Sequence, residues 1–314
     1  MTTPFADRLI DRCRDLGHPL CVGLDPHLDR LPELFRQGSM DPRDASTAAA
    51  VEVFFRAILE RLAGRVAIVK PQIAFFEQLG FAGLAVLDRL VEQARRAGLM
   101  VLLDAKRGDI GSTATAYARA YLGQDAALPC DAITLNPYLG LDSLAPFIER
   151  AQEAHAGFFV LVKTSNPGSG DYQNRALETG NGHAGGPLFE HVARSLADAC
   201  QALRGPETGW SSLGVVVGAT YPGESEAVRE LLPHALFLVP GYGAQGGSAA
   251  DAVRGFVPGP DGRLEGGIVN SSRGILFPPD AADTDASGWE RAIDRAIDRA
   301  IEDLSSAVSP QGGP

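Results

Sequence analysis

The sequence predicts an α/β protein, a single-domain (β/α)8 TIM barrel, on three observations. Eight short, continuously apolar runs alternate with segments of helical periodicity, as in a parallel sheet buried on both faces. No G-x-G-x-x-G turn follows the first run, which argues against an open doubly wound sheet. Finally, the out-of-place polar residues Asp25, Lys70, Asp104, Lys106, Asn136, Ser165, Gln245 and Arg273 all fall at the C-terminal ends of the apolar runs. A barrel gathers its active-site groups at those ends.

The elements follow in order. Residues 5–16 have helical spacing and stop at Gly17; 19–26 form the first buried strand, ending in Asp25 and Pro26. A long amphipathic helix is predicted over 45–62, and a strand over 66–71 ends in Lys70 and Pro71. Residues 81–97 read as a helix closed by Gly98, a suitable C′ residue, and 99–103 as the third strand. Then come a helix at 110–122, a strand at 132–137, a helix at 141–154 and a strand at 157–162. The Gly- and Asn-rich stretch 170–186 reads as a long loop, an insertion or a lid. A helix at 187–203, strands at 213–218 and 236–240 flanking a helix at 224–232, a strand opening at 267 and a last helix at 288–307 complete the count. The domain is expected to span 1–308, with a disordered tail at 309–314.

Composition narrows the function. The 314 residues carry a formal net charge of −11, which disfavours nonspecific binding to nucleic acid or an anionic membrane. No apolar stretch reaches the roughly 18 residues of a membrane span. The N-terminal residues lack the basic and apolar regions of a signal peptide, so a cytoplasmic protein is expected. Cys13, Cys21, Cys130 and Cys200 show no C-x-x-C spacing, which disfavours a structural zinc site or a disulfide framework.

The third strand runs into Asp104-Ala-Lys106-Arg-Gly-Asp109-Ile110. A period of two puts Asp104 and Lys106 on one side of the strand end. An ion pair plus an Asp109 helix cap would be a purely structural reading, but Lys70 and the other polar strand ends favour a site. Alternating ammonium and carboxylate groups hold each other ionised, and two lysines beside the carboxylates oppose a divalent cation. A lysine between aspartates suits proton donation better than nucleophilic attack. The six histidines form no ligand-like pair, and no Ser-His-Asp arrangement is evident. At the last two strands, Pro240, the glycine-rich turn 241–247 and Arg273 read as a phosphate site; a plain tight turn is the alternative for Gly246-Gly247.

These residues resemble the orotidine 5′-phosphate decarboxylase family. The resemblance rests on five motifs in order: Gly23-Leu24-Asp25-Pro26, Val69-Lys70-Pro71, the D-x-K-x-x-D-I run from Asp104, Lys163-Thr164-Ser165-Asn166-Pro167, and Pro240 to Gly247 with Asn270 to Gly274. Chain length and the 170–186 insertion are similar to the larger bacterial subgroup. The resemblance implies decarboxylation of orotidine 5′-monophosphate to UMP with no metal or organic cofactor. It implies a charged network of Lys70, Asp104, Lys106 and Asp109, the last reaching across a homodimer interface. Asp25 and Thr113 would contact the ribose, Thr113 from the partner subunit. Ser165 would bond the pyrimidine, Ile110 would line an apolar pocket near the departing carboxylate, and Gln245 and Arg273 would grip the phosphate. The nearest rival is a metal-dependent sugar-phosphate decarboxylase or aldolase of the same superfamily, which typically carries a glutamate where Lys70 stands. A noncatalytic phosphate-binding barrel is the third reading.

Overall fold

The computed structural model describes residues 3–180, 184–243, 246–281 and 284–310. Eight parallel strands close into a barrel in which each strand pairs with its neighbours in sequence. They are β1 (Leu20–Leu24), β2 (Ile68–Pro71), β3 (Met100–Arg107), β4 (Ala132–Leu135), β5 (Gly157–Lys163), β6 (Ser211–Val217), β7 (Ala235–Val239) and β8 (Gly267–Ser271). Pairing of Leu20 with Val269 and of Val22 with Ser271 closes the ring, and Gly23 lies level with Lys70.

The continuously apolar strands divide their residues between two cores by the period of two. Cys21, Ile68, Met100, Leu102, Phe159, Leu236, Leu238 and Ile268 fill the barrel interior, while Leu20, Val22, Val69, Val101 and Leu103 face the helical layer. The first helix, α1 (Phe5–Leu16), lies with the interior set and plugs the barrel from below. Phe5 meets Phe159 edge-on at 6.2 Å, and Gly157 leaves the space: a Cβ there would lie 2.2 Å from the Phe5 ring. Because α1 fills the floor, the strands open only at their C-terminal ends.

Several elements differ from the sequence reading. β3 runs on through its charges to Arg107, because pairing with β4 resumes after a register shift between Leu103 and Arg107. The helix expected over 81–97 is preceded by a separate α3 (Ile73–Glu77), and α4 is Gly80–Arg96. The helix expected at 187–203 is α7 (Leu188–Ser195) followed by α8 (Ala197–Ala202). The expected loop at 170–186 carries local structure: a 3-10 turn at Pro167–Asp171 and a ribbon pairing Ala176 with Pro187 and Leu177 with Gly186. Of the remaining helices, α2 (Ala45–Leu62), α5 (Gly111–Tyr121), α6 (Ala145–Ala154), α9 (Pro222–Leu231) and α12 (Ala286–Val308) fall close to expectation, and two short ones, α10 (Ala249–Ala252) and α11 (Arg273–Leu276), are additional. Of the predicted tail, Ser309 and Pro310 follow α12 and the rest lies outside the described residues. Among the described residues no helix is long and apolar enough to cross a membrane, and all four cysteines are free thiols.

Candidate active site

A cavity of about 630 Å³ opens at the C-terminal ends of the strands, lined among others by Asp25, Lys70, Asp104, Lys106, Ser165, Pro240 and Arg273. Asp104 is its electrostatic centre. Lys70 Nζ donates to Asp104 Oδ2 at 2.8 Å, and Lys106 Nζ donates to Oδ1 at 2.6 Å. Thr134 Oγ1 adds a third bond to Oδ1 at 2.9 Å. Lys70 and Asp104 are buried, whereas the Lys106 side chain is 45 % exposed and faces the cavity. Burial opposes ionisation of Asp104, but the Lys70 and Lys106 ammonium groups outweigh it and hold the carboxyl well below the usual range. Burial likewise opposes the charge on Lys70, and the Asp104 and Asp25 carboxylates raise its pKa above the ordinary lysine value.

The shared side of Asp104 and Lys106 does not come from a regular pleat. Lys106 has φ 48°, a left-handed conformation uncommon for a non-glycine residue. Thr134 Oγ1 holds the kink, accepting from the backbone N–H groups of Ala105 (3.0 Å) and Lys106 (2.9 Å). Backbone strain of this kind clusters at functional sites and persists where neighbours over-determine it. At β1, Gly23 is needed for close approach: a Cβ there would lie 1.8 Å from Ser272 Oγ and 3.3 Å from Asp25 Oδ2. Asp25 Oδ1 is buried and has no hydrogen-bond partner among the described residues.

Other expected residues stand elsewhere. Asp109, Ile110 and Thr113 do not line the cavity of their own chain. Asp109 does not cap α5 either: Ile110 occupies the N-cap position, and Asp109 Oδ1 accepts from the Ile110 N–H at 2.8 Å. Ile110 is 57 % exposed and Thr113 is exposed, so within one chain Ile110 lines no apolar pocket. Asn136 is an exposed turn residue whose Oδ1 accepts from Tyr138 N–H at 3.1 Å. Gln245 lies outside the described residues. The amides of Gly246 and Gly247 donate to Gly243 O (2.8 Å) and Gly241 O (3.0 Å). Those two glycines therefore serve the tight turn, and Arg273, at the start of α11, places a guanidinium on the cavity wall.

The residues 18–284 match the model of the orotidine 5′-phosphate decarboxylase / HUMPS family. The chain belongs to this family. It is 44 % identical over 299 residues to the orotidine 5′-phosphate decarboxylase of Rhodopirellula baltica, covering 92 % of this chain and 95 % of that one. The Streptomyces coelicolor orotidine 5′-phosphate decarboxylase is 43 % identical, with 87 % and 90 % covered. A crystal structure of a Streptomyces avermitilis protein superimposes with a TM-score of 0.79 at 38 % identity, covering 98 % of this chain and 97 % of that one. Leishmania donovani OMP decarboxylase gives a TM-score of 0.70 at 32 % identity, with 97 % and 98 % covered.

In this family barrel the cavity wall also holds Thr134, His27 and Gln173, which the sequence left unread, and Thr164, which it placed only within a motif. Thr134 looked like an ordinary β-branched strand residue; its only signal was a hydroxyl in an apolar run. His27 packs edge-on to Phe75 at 4.7 Å and Phe277 at 6.0 Å, just beyond the predicted first strand. Thr164 and Gln173 meet on the cavity wall through hydrogen bonds of 2.9 Å that no local pattern announces.

Proposed function

We propose that this protein decarboxylates orotidine 5′-monophosphate to UMP and CO2, the last step of pyrimidine nucleotide synthesis, without a metal or organic cofactor. The observation that carries the proposal is the Lys70–Asp104–Lys106 array at one side of a cavity that has Arg273 on its wall. Loss of CO2 leaves the bonding electron pair on C6 of the pyrimidine, with no conjugated sink. Lys106 stabilises that charge in the transition state and then transfers its proton to C6, regaining one from solvent. Asp104, fixed as a carboxylate, faces the departing carboxylate and disfavours the bound substrate relative to the transition state. Asp25 contacts the ribose, Ser165 the pyrimidine, and Arg273 with Gln245 and Pro240 the phosphate end. Both oxygens of Asp104 are engaged by ammonium groups, so it offers no free face to a divalent cation. Among the described residues no three His, Cys, Asp or Glu side chains form a metal-ligating group.

We read residues 1–308 as one catalytic barrel that works in the cytoplasm as a homodimer, with no nucleic-acid partner. Asp109, Thr113 and Ile110 lie outside their own chain's cavity, which supports a site shared between subunits in which each lends these residues to the other. The test is loss of the ultraviolet absorbance of orotidylate on adding the protein with EDTA. No loss of absorbance would overturn the decarboxylase reading, and loss only after Mg2+ is restored would overturn its metal independence.

A further inference from the structure

The insertion after β5 places two consecutive residues, Gln173 and Asn174, against two consecutive residues at the end of that strand, Lys163 and Thr164. The Thr164 N–H donates to Gln173 Oε1 at 2.9 Å, and Gln173 Nε2 donates back to Thr164 Oγ1 at 2.9 Å. One position earlier, Lys163 Nζ donates to Asn174 Oδ1 at 2.6 Å, stands 3.4 Å from Glu224 Oε1 and lies 4.5 Å from the centre of the Tyr221 ring. Lys163 is fully buried, so this ammonium is spent on fastening the insertion. The Gln173 backbone is itself fixed, donating to Ser169 O at 2.9 Å and accepting from Phe189 N–H at 3.0 Å.

The Lys163–Asn174 tie would suffice to attach a loop. Gln173 does something different: its two-way grip fixes both the backbone N–H and the hydroxyl of Thr164, the residue immediately before the cavity residue Ser165. Beyond Ser165, Thr164 Oγ1 donates to Asn166 Oδ1 at 2.7 Å. On the other flank Gly218 presses close, since a Cβ there would fall 2.8 Å from both Cα and Cβ of Ser165. Ser165 is thereby confined from both sides, by the insertion and by the end of β6.

We propose that Gln173 is a positioning residue that sets Ser165 against the substrate's pyrimidine by acting through Thr164, so that the insertion completes the binding wall. This rests on the orotidylate reading of the cavity. Small displacements of positioning groups are costly in rate, and Gln173 is half-buried on a surface segment, so its truncation leaves the core untouched.

The test is a double-mutant cycle in the full-length enzyme. Gln173→Ala is expected to lower kcat/KM for orotidylate by about tenfold to a hundredfold, the scale of one or two lost hydrogen bonds. Gln173→Glu keeps the acceptor for the Thr164 N–H and should recover most of the loss. In a Ser165→Ala background the same Gln173→Ala change should cost less than about threefold, because its route has been removed. Exchange of the Thr164 amide proton should quicken by about tenfold in Gln173→Ala while the melting temperature holds. Wild-type turnover with an unchanged Gln173→Ala enzyme, or independent multiplication of the two losses, overturns the positioning role alone. Absence of turnover in the wild type instead overturns the functional reading on which it rests.

Discussion

Lys70 and Arg229 are both buried cations, at opposite ends of the same barrel, and they are stabilised by different means. Arg229, on α9 below the strands, donates to the carbonyls of Gly255 (2.7 Å), Leu232 (3.1 Å), Pro233 (3.3 Å), Ala235 (2.7 Å) and Gly266 (2.9 Å). Its guanidinium also lies 3.9 Å from the centre of the Phe237 ring and 4.9 Å from that of Trp210. Burial without a facing carboxylate lowers its pKa to about 9, so it remains charged at neutral pH. Lys70 meets the carboxylate of Asp104 and is shifted the other way. The floor is thus satisfied by neutral backbone within one chain. The mouth holds opposed charges, a strained Lys106 and an Asp25 oxygen with no hydrogen-bond partner among the described residues. Charges held against one another beside unsatisfied groups are arranged for a ligand; an arginine saturated by carbonyls is arranged for stability.

Substitutions should separate the two ends. Lys106→Ala should have the largest effect, at least about a thousandfold loss of kcat from the missing proton donor, with UMP binding and melting temperature nearly unchanged. Ordinary turnover in that variant would remove the mouth's chemical role. Arg229→Met should do the reverse: about 3–5 kcal/mol less stability in urea unfolding, because several buried carbonyls lose their donor, with kcat of the folded enzyme retained. If Arg229→Met instead lowered kcat at constant stability, the contrast between the ends would collapse. Arg273→Ala should weaken kcat/KM by about 2–3 kcal/mol, the scale of charge-assisted hydrogen bonds to a phosphate.

A finer test addresses whether the mouth is complete in one chain. Asp109→Ala and Lys106→Ala should each be nearly inactive, yet after subunit exchange a 1:1 mixture should recover to about a quarter of wild-type activity. No recovery despite proven exchange would return Asp109 to its own subunit. The smallest effect concerns pH. Asp104 is depressed, so its contribution to stability is present above the unfolded value of about 4 and is lost as pH falls through the folded one. Lys70 is raised, so its contribution is present below about 10.4 and is lost as pH rises through the folded value. Between about pH 5 and 9 the pair should therefore add no pH dependence to unfolding; a slope that disappears in Asp104→Asn would contradict this.

The sequence by itself determined the beat of strands and helices, because buried parallel strands and amphipathic helices differ in period and length. It also determined which polar residues stand at the C-terminal strand ends, and Asp25, Lys70, Asp104, Lys106, Ser165 and Arg273 all line the cavity there. The shape of the site was decided by contacts between residues remote in sequence. Asp104 depends on Lys70 and Thr134, which lie 34 and 30 positions away. The left-handed turn at Lys106 is imposed by Thr134 from the next strand, against the local preference of a lysine. The ordered insertion escaped a reading based on periodicity because side chains such as Gln173, not repeating apolar contacts, fasten it. Periodicity records what each residue prefers alone, whereas the hydrogen bonds that shape this site exist only after closure of the barrel has brought their partners together.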